Sequence, residues 1–200
     1  MNRTISIMVG KGSVNHNSRK FHAKNTDPER SYLNVEYCNE NLQSVYHQLF
    51  DEAQQRYNAK QKRADRMIPD YYEKIRSGKQ EKLFHEVIVQ IGNREDMGAQ
   101  SENGALAAQV LDEYMREFQK RNPNLRVFSA HLHMDEATPH LHIDFVPFTT
   151  SSKRGMDTRV SLKKALAAQG YTGGSRSDTE WNQWVEAEKN ALAAVMERHE

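Results

Sequence analysis

The sequence predicts an α+β fold, a mainly antiparallel sheet of about five strands with helices packed on it. Three observations carry this. Short stretches that alternate apolar and polar residues recur along the chain, longer stretches with apolar residues at steps of three and four lie between them, and the two kinds never alternate strictly as a wound parallel sheet requires. The 200 residues suit one domain, and the 37% apolar content allows a real core beneath a large polar surface. Such a sheet, with helices over one face, leaves the opposite face or an edge free to hold a site.

Residues 5–9 (Ile-Ser-Ile-Met-Val) read as the first strand, ending at Gly10-Lys11-Gly12-Ser13. A polar loop over residues 13–30 follows, and residues 31–37 alternate like a second strand. Leu42, Val45, Tyr46, Leu49, Phe50, Ala53 and Tyr57 keep helical spacing, so Tyr46 belongs to a core-facing stripe. Pro69 opens a short helix over residues 70–76, and residues 84–91, with Val-Ile-Val-Gln-Ile, form a buried strand. Residues 92–104 read as a loop. Ala107, Val110, Leu111, Tyr114, Met115 and Phe118 mark a helix stopped by Arg121-Asn122-Pro123-Asn124. Residues 127–134 and 141–148 are the arms of a β-hairpin, a weak helix covers residues 162–169, and a capping box at Ser177 to Glu180 starts the last helix, with Trp181, Trp184, Val185, Leu192, Val195 and Met196 on its apolar face. That helix is still regular in pattern at Glu200, which leads us to expect a longer protein.

The hairpin loop concentrates chemistry. His133-Met134-Asp135-Glu136-Ala137-Thr138-Pro139-His140-Leu141-His142 holds three imidazoles and two carboxylates around one proline. Because strand side chains repeat every two residues, His140 and His142 share a face, and His133 approaches them across the ladder. Three neutral imidazoles fit one divalent ion and leave coordination positions open, as catalysis requires. Asp135 and Glu136 stand open as ligands, as partners that orient an imidazole, or as turn formers. Asp144 shares the face of His142, and His131 that of His133, as a crowded neighbour. His16 and Arg19 sit in a polar loop that no core pattern explains, and with a histidine cluster they suggest a phosphate substrate, since arginine offers a bidentate fork and histidine an acid, base or nucleophile.

The formal charge of +1 hides basic clusters over residues 11–30, 60–66 and 153–164. A single cysteine, Cys38, excludes an intramolecular disulfide and a cysteine-based metal site, which points to the cytosol, and no apolar run approaches the roughly 20 residues that span a bilayer.

The pattern His133-x-Asp135-Glu136-x-x-Pro139-His140-x-His142 resembles the three-histidine motif of the Mob/Pre (MobV-type) plasmid mobilization relaxases, part of the HUH endonuclease group. His16-Asn17-Ser18-Arg19 resembles that family's first motif, Ser31-Tyr32-Leu33-Asn34 its second, and Arg63-Ala64-Asp65-Arg66 and Trp181-Asn182-Gln183-Trp184 are also similar. The resemblance implies a single relaxase domain over residues 1–200, the N-terminal part of a longer protein with a helical, dimerising C-terminal region. It implies metal-dependent nicking of one strand at an origin of transfer, a covalent 5′-phosphoryl adduct on His16, a free 3′-hydroxyl, and strand rejoining when transfer ends. In this reading His133, His140 and His142 hold one Mn²⁺ or Mg²⁺, Glu136 orients or activates the nucleophile, and Arg19 contacts the phosphate. Arg63, Arg66, Lys11, Lys20 and Asn17 contact DNA, presented as a hairpin plus single strand, and the conjugative transfer machinery is a further partner. Two rivals stand beside it: an HUH-type replication initiator or transposase with Tyr46 as nucleophile, and a non-catalytic origin-binding module whose histidines hold a structural zinc.

Overall fold

A computed structural model describes residues 3–199, so the expectation for Glu200 lies outside the described residues. In chain order the elements are β1 (Ile5–Val9), α1 (Val14–Asn17), a 3-10 turn (Pro28–Leu33), β2 (Val35–Asn39), α2 (Leu42–Ala59), a 3-10 turn (Ala64–Arg66), α3 (Tyr71–Ser77), β3 (His85–Ile91), α4 (Arg94–Met97), α5 (Glu102–Arg121), β4 (Leu125–His133), β5 (His140–Thr149), β6 (Arg159–Val160), α6 (Leu162–Ala168) and α7 (Glu180–Arg198). Among the described residues no helix is long and apolar enough to cross a membrane.

The sheet is antiparallel with strand order β1-β3-β5-β4-β2, and β6 adds a sixth short strand against the end of β5. The hairpin arms β4 and β5 are thus its centre, not an edge. The second predicted strand begins later than expected. Ser31, Tyr32 and Leu33 belong to a 3-10 turn opened by Pro28, whose fixed φ favours a turn, and Asp27 caps it by accepting from the Glu29 amide. The polar loop around His16 contains the one-turn helix α1, and the loop expected over residues 92–104 contains α4 and the start of α5. The cap of α7 is Thr179, whose hydroxyl accepts from the Asn182 amide, in place of the expected Ser177–Glu180 box.

Helices lie on both faces, where the sequence suggested one. Leu141, Ile143 and Phe145 of β5, with Val87, Val89 and Ile91 of β3, pack against Leu111, Tyr114 and Phe118 of α5 and Trp184 and Leu192 of α7. On the other face Val146 and Phe128 meet Tyr46 and Phe50 of α2 and Tyr71 of α3, a second core that covers only one end of the sheet. The remaining half of that face carries His140, His142 and Asp144.

A single bulge decides which face the β4 histidines occupy. Leu125 and Val127 point into the first core, and strict alternation would send His131 and His133 there too. The register shifts between Val127 and Ser129, so Phe128 is the extra residue; beyond it Ala130 and Leu132 take the core positions, and His131 and His133 face outward opposite His142 and His140.

Candidate metal and active site

Bringing His133 opposite His140 and His131 opposite His142 places three hairpin imidazoles ring to ring, with centroids 4.8 Å apart for His133 and His142, 5.0 Å for His140 and His142, and 5.3 Å for His133 and His140. Two of the rings are oriented by a backbone carbonyl outside the trio. His133 Nε2 lies 2.8 Å from the Asn17 carbonyl and His140 Nδ1 2.8 Å from the Thr138 carbonyl, so each of these nitrogens carries the proton that it donates. The opposite nitrogens, His133 Nδ1 and His140 Nε2, are left as lone pairs directed at Glu136 Oε1, at 3.7 and 3.9 Å. His142 Nδ1 sits 3.3 Å from Glu86 Oε2 but off the line of a hydrogen bond.

His16 completes the cluster from above. Its ring lies 6.0 Å from that of His133 and 6.1 Å from that of His142, with Nε2 3.5 Å from Glu136 Oε1 and 3.3 Å from Arg19 Nη1. Two overlapping donor sets result, each with ligand atoms within 4.8 Å of one another: His16, His133 and His142, and His133, Glu136 and His140. The trio expected from the sequence is therefore divided between two sets joined at His133. Burial lowers the pKa of three imidazoles of these sets: desolvation, then the Arg19 cation, lowers His16; desolvation takes His133 down to about 2; desolvation and His142 lower His140. Neutral rings with inward lone pairs are what a divalent ion needs, and the buried, unpartnered Nδ1 atoms of His133 and His142 show that protein alone does not satisfy them.

Arg19 and Asp135 hold the His16 segment on the hairpin. The guanidinium forks onto Asp135, Nε to Oδ2 at 2.8 Å and Nη2 to Oδ1 at 2.5 Å, and also donates to Glu136 Oε1 at 2.9 Å and the His16 carbonyl at 2.9 Å. Its backbone sits at φ 56°, a conformation that a non-glycine residue keeps only when its surroundings hold it. Asp135 also accepts from Ser31 Oγ at 2.7 Å and Asn34 Nδ2 at 2.8 Å. Burial alone would raise its pKa, yet these donors hold the carboxyl well below the usual range. Of the open roles for the two acids, Asp135 is the anchor of the two upstream segments, and Glu136 the acid at the centre of the nitrogens, with Oε2 accepting from Asn25 at 2.8 Å.

Several expected contacts have other geometry. Asn17, expected at DNA, is buried and donates to Glu86 and, at 3.3 Å, to Asp144. Arg19 has its planar fork closed on carboxylates, and Arg63 forms an exposed bidentate pair with Asp65, 2.6 Å at its shorter arm. Arg66, Lys11 and Lys20 are exposed. Tyr46 is buried, donates its hydroxyl to the Leu83 carbonyl at 2.5 Å and packs against Phe50 and Tyr72, in the second core and outside the histidine cluster. His131 pairs with Glu36 at 3.0 Å.

Glu86 was not legible as a site residue, although a lone charge inside the apolar run of residues 84–91 marks it. It is buried beside its cross-strand partner Asp144, binds Asn17, and accepts from the Gly12 amide at 3.1 Å. Gly10 allows this approach, because a Cβ there would collide with the Glu86 carboxylate. Burial and the neighbouring Glu86 carboxylate push the Asp144 carboxyl well above the usual carboxylate range. Among the described residues, six of the seven buried side-chain polar atoms without a partner belong to this face: Asn17 Oδ1, Ser129 Oγ, His131 Nδ1, His133 Nδ1, His142 Nδ1 and Asp144 Oδ1.

The profile of a family described as "Plasmid recombination enzyme" (Mob_Pre) matches residues 19–189, beginning just after His16. No curated protein matches the chain. Among solved structures the fold is similar to the MobM relaxase domain (MOBV; Mob_Pre) bound to plasmid oriT DNA in a Mn-bound crystal structure at pH 5.5, with 21% identity, a TM-score of 0.54, and coverage of 95% of this chain and 85% of the other. A Mn-bound structure of the same domain with oriT DNA and a 3′-thiophosphate at pH 6.8 matches at 22% identity and a TM-score of 0.53, with the same coverage.

Proposed function

The chain belongs to the Mob_Pre family of plasmid recombination enzymes, and from that premise we propose that it is a relaxase domain that nicks one strand of plasmid DNA at an origin of transfer. The observation that carries the reading is the cluster of imidazole nitrogens from His16, His133 and His140 around Glu136 Oε1, with His133 Nδ1 and the neighbouring His142 Nδ1 buried without partners. The related MobM structures are Mn-bound and hold oriT DNA, which supports Mn²⁺, or the chemically similar Mg²⁺, and origin DNA as partner.

His133, His140 and His142, with Glu136 alongside, would hold the ion. Bound by neutral ligands, a divalent ion retains its charge and supplies electrostatic stabilisation of the scissile phosphate. His16 is the nucleophile. Burial and Arg19 keep its ring neutral, so Nε2 attacks phosphorus with no proton to remove first. The N–P bond forms as the P–O3′ bond breaks, the electron pair leaves on the 3′ oxygen, and a proton from water completes the free 3′-hydroxyl. The phosphoramidate left on the 5′ end is energy-rich, so attack by a 3′-hydroxyl rejoins the strand. Arg19 fixes the His16 backbone against the hairpin and points Nη1 at Nε2, which orients the nucleophile. Asn17 acts as a strut that turns His133, with exposed Lys11 and Lys20 as DNA contacts beside it. Conjugative transfer machinery and a dimerising region belong to the same proposal.

A second reading has its own support: His16 shares a donor set with His133 and His142, so it is alternatively a fourth ligand. Incubation with supercoiled origin plasmid and Mn²⁺, followed by mapping of the peptide bonded to the 5′ end, separates the two. His16 in the mapped peptide, and no adduct from His16→Ala, is the expected result. An adduct on Tyr46 or on any other residue overturns the nucleophile, and zinc binding without nicking favours a non-catalytic origin-binding module.

A further inference from the structure

Two of the three hairpin imidazoles are turned by backbone carbonyls, and among the described residues no such carbonyl reaches His142. Glu86 stands in that place. In the β3–β5 register Glu86 lies opposite Asp144 and Ile88 opposite His142, so Glu86 and His142 are diagonal neighbours on one face, a span that a glutamate side chain crosses. Its Oε2 comes to 3.3 Å from His142 Nδ1. That separation is close to an ordinary N–H···O bond, and only the angle departs from one, which leaves Nδ1 without a partner until the ring is turned.

The carboxylate is pinned where it stands. Glu86 is 4% exposed; the Gly12 amide donates to Oε1 at 3.1 Å, Asn17 Nδ2 donates to Oε2, and the Gly10 amide donates to the Glu86 carbonyl at 3.0 Å. A Cβ on Gly10 would take the space of the carboxylate, so the chain after β1 is shaped around it. Asp144 is turned away from this task, with Oδ2 facing Asn17 Nδ2 at 3.3 Å. Asn17 joins the two halves of the arrangement: its carbonyl accepts from His133 Nε2 while its side chain holds Glu86, so one residue beside His16 sets two of the rings. A neutral imidazole has one proton to place. A lone pair on Nδ1 would meet a carboxylate oxygen and be repelled, whereas an N–H there is attracted, and the lone pair then falls to Nε2.

We propose that Glu86 is a positioning residue of the metal centre, holding His142 in its Nδ1–H form so that Nε2 is the nitrogen offered to the ion beside His133 and His140. The proposal rests on the metal reading of the trio, but its first test needs no metal. Long-range proton–nitrogen NMR of the 200-residue chain in EDTA, with the His142 signals assigned by their loss in His142→Gln, reports which nitrogen carries the proton. Nδ1–H is expected in the parent, and a mixture of the two tautomers in Glu86→Gln. Mn²⁺ affinity, read from the EPR signal of free Mn²⁺, should fall about tenfold or more in Glu86→Gln, the usual effect of removing a carboxylate behind a ligating histidine. Glu81→Gln removes the same charge from a carboxylate that faces Arg159 instead of a histidine, and should stay within about twofold of the parent. An Nε2–H tautomer in the parent, which would set Glu86 beside a lone pair as a ligand, overturns the role of Glu86 alone, as does unchanged affinity in Glu86→Gln or an equal loss in both variants. No Mn²⁺ binding by the parent overturns the metal centre and this role together.

Discussion

Two buried polar networks lie on opposite faces of one sheet, and they differ in whether they are complete. On the helix-covered face Glu188 accepts from Tyr114 at 2.7 Å, Arg121 at 2.9 Å and Asn122 at 3.1 Å, while Trp184 donates to Asn122 at 2.7 Å, and no atom of these side chains is left without a partner. On the histidine face the acids Asp135 and Glu136 are well supplied with donors, but imidazole nitrogens and the Asp144 carboxyl are not. A satisfied network specifies packing, and an unsatisfied one in a well-packed sheet marks a place that a ligand can complete.

The contrast breaks most readily at Glu188. Glu188→Ala leaves Arg121 half-buried without its counter-charge and should cost about 3–5 kcal/mol by chemical denaturation; a loss under about 1 kcal/mol would mean that the covered network is no clamp. Asp135→Asn removes the fork that holds Arg19 and should cost about 2–3 kcal/mol, with nicking greatly reduced because His16 loses its anchorage. Unchanged stability there would detach the His16 segment from the hairpin. Tyr46→Phe gives up one hydrogen bond to Leu83 at about 1 kcal/mol and keeps nicking and the covalent adduct; loss of the adduct at wild-type stability would move the chemistry to the second core. The smallest effect on stability belongs to His142→Gln, within about 0.5 kcal/mol, since the ring it removes is poorly partnered. The same change should abolish the rise in Tm that saturating Mn²⁺ produces, about 2.7 kcal/mol of stabilisation at a hundred times Kd. Persistence of that rise would place the ion elsewhere.

How much of this was legible in the chain follows from distance along it. The amphipathic stripe of α2, the α5 face and the hairpin arms repeat with the periods of their own backbones, and so do His140 and His142, which makes a site half contained in ten consecutive residues readable. The Ser31–Leu33 segment misled because alternation is also what a proline-started 3-10 turn with a polar anchor can show, and only Asp135, a hundred residues away, reveals that Ser31 and Asn34 point to it.

By itself the sequence determined the antiparallel α+β class, the helices and their apolar faces, the shared strand face of His140 and His142 and the family motif, because each is written in local spacing and residue type. Tertiary structure alone decided the rest: the bulge at Phe128 that turns His131 and His133 outward, the arrival of His16 through Arg19 and Asp135, and the Glu86 and Asp144 pair. Those depend on register and on contacts between residues far apart, where one inserted residue reverses a strand face and no local period records it.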